Sequence, residues 1–524
     1  MLDDRIDPSA EDAAPPGTAA EGAAFQPARA STGVSGLDEI LGGGLPSHRM
    51  YLVEGDPGAG KTTLAMQFLL EGVRRGEPGV YATLSETEEE LRAIALSHGW
   101  NLDGITICDL QTAEESLKAD SRYTLFHPSE IELSETTRTV LAAVERVEPA
   151  RVVFDSLSEI RMLARDSLRY RRQILALKHY FTGRRCTVLL LDYRTPQGGE
   201  FQLQSLTHGV LTLEHLAPEY GGQRRRLRVQ KVRGISFRDG YHDFSIDRGG
   251  LVVYPRLIAS GRRAKYEREA VSSGLAELDA LLGDGILRGT STMLLGPAGV
   301  GKSTLAMQYA QAAARRGERS AIYIFDENPE TWLGRADGLG MPLGQAVAAG
   351  TIELRQVDPA ELSPGEFAQL VCSSIDGGTR MIVIDSLNGY LNGMPEERFL
   401  SLHVHELLAY ANQQGVVTLL VMAQNGLLGV GIEAPVELSY LADTVVLLRY
   451  FEAAGEVRQA ISVVKKRTGR HERTVRELRI EAPGVRVGRQ LTEFSGVLAG
   501  QLVYAGGEPL LQKSPAIEGR REHG

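Results

Sequence analysis

Gly55-Asp56-Pro57-Gly58-Ala59-Gly60-Lys61-Thr62 combines a tight glycine turn with a lysine and a hydroxyl, and the grouping returns at Gly296-Pro297-Ala298-Gly299-Val300-Gly301-Lys302-Ser303. Glycines at that spacing let successive backbone N–H groups converge on phosphate oxygens. The lysine reaches the terminal phosphates, and the Thr62 or Ser303 hydroxyl takes a place on magnesium. Thr63 and Thr304 complete the two segments. Apolar residues 50–54 and 291–295 precede the loops as expected buried strands, and residues 63–68 and 304–309 open helical patterns after them. Two matches in the same strand-and-helix context predict two nucleoside-triphosphate sites, with ATP and Mg2+ as ligands.

The rest of the chain repeats with the loops. Lys61 and Lys302 are 241 positions apart, as are Glu86 and Glu327. Asp155 ends the apolar run Val152-Val153-Phe154 and Asp385 ends Ile382-Val383-Ile384, now 230 positions apart, so the second copy is shorter in between. A carboxylate at the tip of a buried strand beside a phosphate loop offers magnesium a hard oxygen ligand, which makes Thr62, Asp155, Ser303 and Asp385 the expected metal-holding set. Capping of the next helix is the competing role for each aspartate.

These sites need large scaffolds, and 524 residues with 43% hydrophobic content are ample for two α/β cores. Residues 1–30 are rich in Ala, Pro, Asp and Glu and are expected to form a disordered acidic tail without a secretory signal. No apolar run approaches a membrane span. Cys108, Cys186 and Cys372 lack paired spacing, which argues against a zinc site or disulfides and for a cytoplasmic location. The net charge of −10, from 57 basic and 67 acidic residues, argues weakly against tight nonspecific nucleic-acid binding. The Arg224-Arg225-Arg226 triplet is expected to be an exposed hairpin-tip cluster.

Each copy opens with a second signature, residues 31–46 (STGVSGLDEILGGGLP) and 272–286 (SSGLAELDALLGDGI). With the tandem loops, the Asp-Ser pairs, Lys231-Val232-Arg233-Gly234-Ile235-Ser236 and Val463-Val464-Lys465-Lys466-Arg467, these segments resemble RecA-type cores and more narrowly the KaiC family, from about residue 31 to residue 500. The resemblance implies an α/β fold of two tandem RecA-like P-loop NTPase domains, each a mainly parallel sheet flanked by helices. The boundaries expected are 31–258 and 259–492, with a C-terminal loop and flexible tail over 493–524. It further implies a double-domain ATPase in a two-tiered hexameric ring, with ATP bound between subunits. Some members also phosphorylate their own second domain and run a circadian oscillator.

By that resemblance Lys231 and Arg233 in the first copy, and Lys465 and Arg467 in the second, reach the neighbour's triphosphate as an arginine finger does. The rival role is the solvated face of a strand, which the alternation from Leu227 to Arg233 equally allows. Family members carry two adjacent glutamates after the strand that follows the first helix, one of them the general base. Here the first copy has Ser85-Glu86 and the second Asp326-Glu327, so Glu86, Asp326 and Glu327 are the candidate bases, and the Ser85 site is expected to be slow. Glu88, Glu89 and Glu90 are expected to be exposed helix starters. Ser439-Tyr440, before Asp443-Thr444, aligns with the family's phosphoacceptor pair, which makes Ser439 the candidate acceptor of an autokinase. The resemblance also implies a regulator at the C-terminal tail, KaiB-like or a histidine kinase with its response regulator. The alternatives are a RecA- or RadA-like DNA-dependent ATPase, which lacks support from any zinc finger or second-domain extension here, and a scaffold that binds ATP without turnover.

Overall fold

The computed structural model describes residues 28–110, 128–164, 166–194, 200–218, 221–259, 264–394, 399–424, 440–453, 455–495, 497 and 503–504. Residues 1–27 of the expected acidic tail, most of the C-terminal tail and Ser439 lie outside the described residues, whereas Arg29–Ala30, expected in that tail, form a short strand paired with Leu45–Pro46.

Two nine-stranded sheets carry the chain. The first contains β1 (Met50–Gly55), β2 (Gly79–Thr83), β3 (Ile105–Asp109), β4 (Arg151–Asp155), β5 (Thr187–Tyr193), β6 (Gly209–Leu216), β7 (Arg224–Val232), β8 (Tyr241–Asp247) and β9 (Gly250–Tyr254). The second contains β10 (Ser291–Gly296), β11 (Arg319–Ile324), β12 (Ile352–Gln356), β13 (Thr379–Asp385), β14 (Val417–Ala423), β15 (Thr444–Ala453), β16 (Glu456–Lys466), β17 (Val475–Glu481) and β18 (Gly484–Gln490). The spatial orders β9-β8-β7-β6-β1-β5-β4-β2-β3 and β18-β17-β16-β15-β10-β14-β13-β11-β12 are the same topology. In each, the strand that feeds the phosphate loop is central, with parallel neighbours on both sides. The last strands add antiparallel at one edge. These are the two mainly parallel, helix-flanked RecA-like sheets that the sequence led us to expect.

The central strands are buried along their whole length because helices cover both faces, which is why they read as continuous apolar runs. Each sheet therefore has an apolar core on either face. The two halves touch where Arg224 donates to the carbonyls of Pro359 (2.8 Å) and Ala360 (3.1 Å), and where the Gly365 N–H donates to the Asp243 carboxylate (2.7 Å). The arginine triplet is thus not a solvated tip. It opens β7 half-buried, with Arg224 docked on the second half and Arg226 paired with Glu214 at 3.5 Å.

One buried charge sets the cores apart. Arg151, 1% exposed at the start of β4, pairs with Glu77 at 2.6 Å and donates to the carbonyls of Ser31 (2.7 Å) and Phe68 (2.6 Å). It ties the opening segment to the helix after the phosphate loop. Register puts Met381 at the same place in the second sheet, since Arg151 lies across from Gly79 and Met381 across from Ser320. Arg151→Ala should therefore cost the first half about 3 kcal/mol in urea unfolding of the full chain. Arg151→Met, which fills the volume but leaves two carbonyls and the partly exposed Glu77 carboxylate short of a donor, should cost less, about 2 kcal/mol.

Candidate functional site

The phosphate loop follows β1 directly, and helix α1 (Lys61–Arg74) begins at its lysine. Gly60, the residue before that helix, has φ +96°, and a Cβ there would meet Ile246 Cδ1 at 2.6 Å. The second copy repeats this at Gly301, φ +103°, before the helix Lys302–Arg315, where a Cβ would lie 1.9 Å from Ile480 Cδ1. Both positions need glycine for conformation, and a Cβ would in addition displace the end of an isoleucine side chain. The Lys61 ammonium donates to the Gly55 (2.8 Å) and Asp56 (3.0 Å) carbonyls, and Lys302 to those of Gly296 (2.9 Å) and Pro297 (2.7 Å). Burial lowers the pKa of both lysines, that of Lys302 to about 8. A polyanion beside them restores the charged form, so each loop is suited to triphosphate.

The strand-end aspartates stand where metal binding requires them. Thr62 Oγ1 donates to Asp155 Oδ2 at 3.0 Å, bringing together a hydroxyl and a carboxylate from segments far apart in sequence. Asp385 is buried, is raised to about 6 by that burial, accepts from Ser303, and keeps Oδ2 without a partner. Hydroxyl plus carboxylate is an all-oxygen set suited to magnesium, and an unpartnered buried acceptor oxygen is what a hydrated cation would satisfy. In the second copy the following helix is capped by Ser386, not Asp385, with the Ser386 side chain accepting the Gly389 N–H.

The candidate bases differ between the halves. Glu86 sits in the turn after β2, where the Thr83 hydroxyl donates to the Glu86 carbonyl (2.6 Å) and accepts its N–H (3.0 Å). Its Oε2 is buried without a partner, and desolvation, then the neighbouring Asp155 and Glu90 charges, raise its pKa to about 7. Ser85 is exposed. In the second half Asp326 accepts from Ser386, and Glu327 is held bidentately by Arg335 at 2.6 and 3.0 Å. Glu88, Glu89 and Glu90 are exposed at the start of helix α2 (Glu88–Ser97), where Thr87 and Glu90 form a capping box, as expected.

The four terminal cations do not join their own loops. β6 runs parallel to β1 with Gly209 beside Tyr51 and Leu213 beside Gly55, and β7 returns antiparallel with Val232 beside Gly209. Lys231 and Arg233 thus lie near the level of Tyr51, four residues or about 13 Å along the sheet from the end of β1. They donate to the last carbonyls of the helix Glu200–Leu206, Lys231 to Gln204 and Arg233 to Ser205 (3.1 Å). Likewise Lys465 donates to Ala442 (2.9 Å), and Arg467 donates to Tyr440 (2.7 Å) and pairs with Asp443 (3.5 Å), at the starting end of β10.

Sequence reasoning missed three groups. Glu54, buried just before the first loop, accepts from Gln204 (3.0 Å), Thr212 (3.0 Å) and Gln230 (3.0 Å), so the base of the loop is bonded to the helix that receives Lys231. Tyr193 lies under the Lys61 ammonium, 4.4 Å from ring centre to nitrogen. Arg335 stands eight residues after the acid it holds. A charged residue in the apolar run of β1 was the one available signal, for Glu54. Among the described residues no helix is long and apolar enough to cross a membrane, and no cluster of His, Cys, Asp and Glu forms a metal site.

Comparison with known proteins fits this geometry. The family model of the KaiC ATPase matches residues 30–258 and again 271–492. The chain is similar to the circadian clock protein KaiC3 of Synechocystis sp., 27% identical over 487 residues that cover 90% of this chain and 94% of the relative. It is also similar to the circadian clock oscillator protein KaiC of Synechococcus elongatus, 26% identical over 509 residues, 95% of this chain and 96% of the relative. KaiC of Thermosynechococcus vestitus is 26% identical over 475 residues, 90% of each chain.

The Glu86 environment predicts a pH profile. A base raised to about 7 is active deprotonated, so in Lys302→Ala chains the kcat/KM for ATP should fall about tenfold per pH unit below 7 and level off above it. Glu86→Gln should lower the plateau at least about 100-fold and remove that limb, read by phosphate release.

Proposed function

The chain belongs to the KaiC family of ATPases, and from that premise we propose a ring of subunits in which each nucleotide is bound by one chain's phosphate loop and completed by the next chain's cations. The observation that carries this reading is the separation of Lys231, Arg233, Lys465 and Arg467 from their own loops, at the opposite end of each parallel sheet. Head-to-tail contact between identical chains brings one chain's starting edge against the next chain's loop edge, and repetition closes a ring, for which we take the hexamer of the family resemblance.

In the mechanism we infer, Lys61 and Lys302 hold the β- and γ-phosphates, with the backbone N–H groups of residues 55–62 and 296–303 around them. Thr62 with Asp155, and Ser303 with Asp385, would hold Mg2+, which offsets charge on the phosphate oxygens when bound. Glu86 takes a proton from the attacking water; Asp326 and Glu327 are its counterparts in the second half, restrained by Ser386 and Arg335. The partner chain's lysine and arginine oppose the charge that spreads over the transferred group. The relatives' names refer to the circadian clock; for this chain we carry over a slow timing or signalling ATPase, whose C-terminal tail is the place for a regulator. The acids near both loops favour turnover over a scaffold, and the overall negative charge disfavours a DNA-driven motor.

A second reading, phosphoryl transfer to Ser439, is favoured by one contact. Arg467 donates to the carbonyl of Tyr440, the residue next to Ser439, so the acceptor segment adjoins a cation that the ring directs at the neighbour's nucleotide.

Two outcomes are expected. Mixing inactive Lys61→Ala/Lys302→Ala chains with inactive Arg233→Ala/Arg467→Ala chains should restore a measurable fraction of ATPase activity; no recovery at any ratio would refute shared sites. Intact-mass measurement after long incubation with Mg-ATP should show a single phosphate on the wild type and none on Ser439→Ala; an unshifted wild-type mass leaves the protein an ATPase only.

A further inference from the structure

Tyr81 is the third residue of β2, buried, and absent from every motif that identifies the nucleotide sites. Its phenol donates to Asp155 Oδ2 at 2.6 Å, the same oxygen that accepts the Thr62 hydroxyl at 3.0 Å. A carboxylate oxygen that accepts two hydroxyls is fixed in both torsion and plane, while its partner oxygen keeps its lone pairs for other donors. The second half lacks this device. Tyr81 lies across from Val153, and the residue that lies across from Val383 in the same place is Ile322, which has no donor. Asp385 is left with Oδ2 unpartnered.

We propose that Tyr81 is a positioning residue that holds the Asp155 carboxylate ready for a divalent cation in the first half, a role with no counterpart in the second. The inference rests on the assignment of Thr62 and Asp155 as metal-holding groups. Outer-shell hydrogen bonds to ligating carboxylates fix their orientation, and losing one typically weakens metal binding about 10–100-fold. Tyr81→Phe removes only the hydroxyl; Asp155 retains the Thr62 donor, so the substitution creates no orphaned charge that would mask the effect.

The test uses full-length chains carrying Lys302→Ala, with Mn2+ as the probe in the presence of a saturating nonhydrolysable ATP analogue. Bound Mn2+ is counted by electron paramagnetic resonance. One Mn2+ per chain is expected in the parent, with an affinity about tenfold weaker in Tyr81→Phe, and equally weak in Tyr81→Ile, which copies the second half. Affinity for the analogue in EDTA should be unchanged in both variants. Metal affinity unaltered by either substitution would overturn the role of Tyr81 while leaving the metal assignment intact. An equal fall in metal-free nucleotide affinity would make Tyr81 a packing residue instead. Absence of stoichiometric Mn2+ in the parent would remove the metal assignment and the inference with it. As the internal control, Tyr81→Phe in a Lys61→Ala chain should leave Mn2+ binding by the second half untouched.

Discussion

Parallel strands end together, and that polarity governs everything else in the molecule. With β1 flanked by β5 and β6, and β10 by β14 and β15, the ends of the strands form one edge per sheet and their starts form the other. The phosphate loops, the strand-end aspartates and the candidate bases all collect at the first edge, because each is the last residue of a parallel strand or part of the turn that follows one. The antiparallel return of β7 and β16 carries the paired cations back to the second edge. In the first half that puts Lys231 near the level of Tyr51, about 13 Å along the sheet from the end of β1.

On this shared frame the halves have diverged in electrostatics rather than in topology. The first half uses buried polar groups: Arg151 between segments, Glu54 under the loop, Tyr81 on the aspartate. The corresponding places in the second are Met381, Leu295 and Ile322, all apolar. The bases diverge in the opposite sense. Glu86 is desolvated and without a partner at Oε2, whereas Glu327 is held bidentately by the Arg335 guanidinium. Glu86, beside the exposed Ser85, is the candidate base that burial raises to about 7.

Within the first half these polar groups also form a path. Glu54 accepts from Gln204, whose carbonyl accepts from Lys231, so the strand before the loop and Lys231 share one helix. The halves are joined by Arg224 and Asp243, which register places toward the end of β6 and away from Lys231, since Arg224 lies across from Leu216 and Asp243 across from Arg226.

The phosphate loops, the duplication and the strand-end aspartates were legible in the sequence because each depends on local geometry: glycine conformations, a strand before, a helix after. The family and the sheet class followed from the same motifs in order. The sequence picked out the cations at the end of each repeat but left open whether they line a solvated strand face; the register of β6 on β1 and β7 on β6 shows which edge Lys231 and Arg233 occupy. Arg224 was misjudged as a surface charge because its partners, the carbonyls of Pro359 and Ala360, lie in the other half. Tyr81, Glu54 and Arg335 carry no motif at all. Their roles arise from hydrogen bonds to residues 74, 150 and 8 positions away, and such pairings are fixed by strand order and packing, which local propensity does not encode. What the chain by itself determined was the chemistry of each loop; which charges face which loop was decided only when the sheets assembled, because direction along a parallel sheet is a property of the fold.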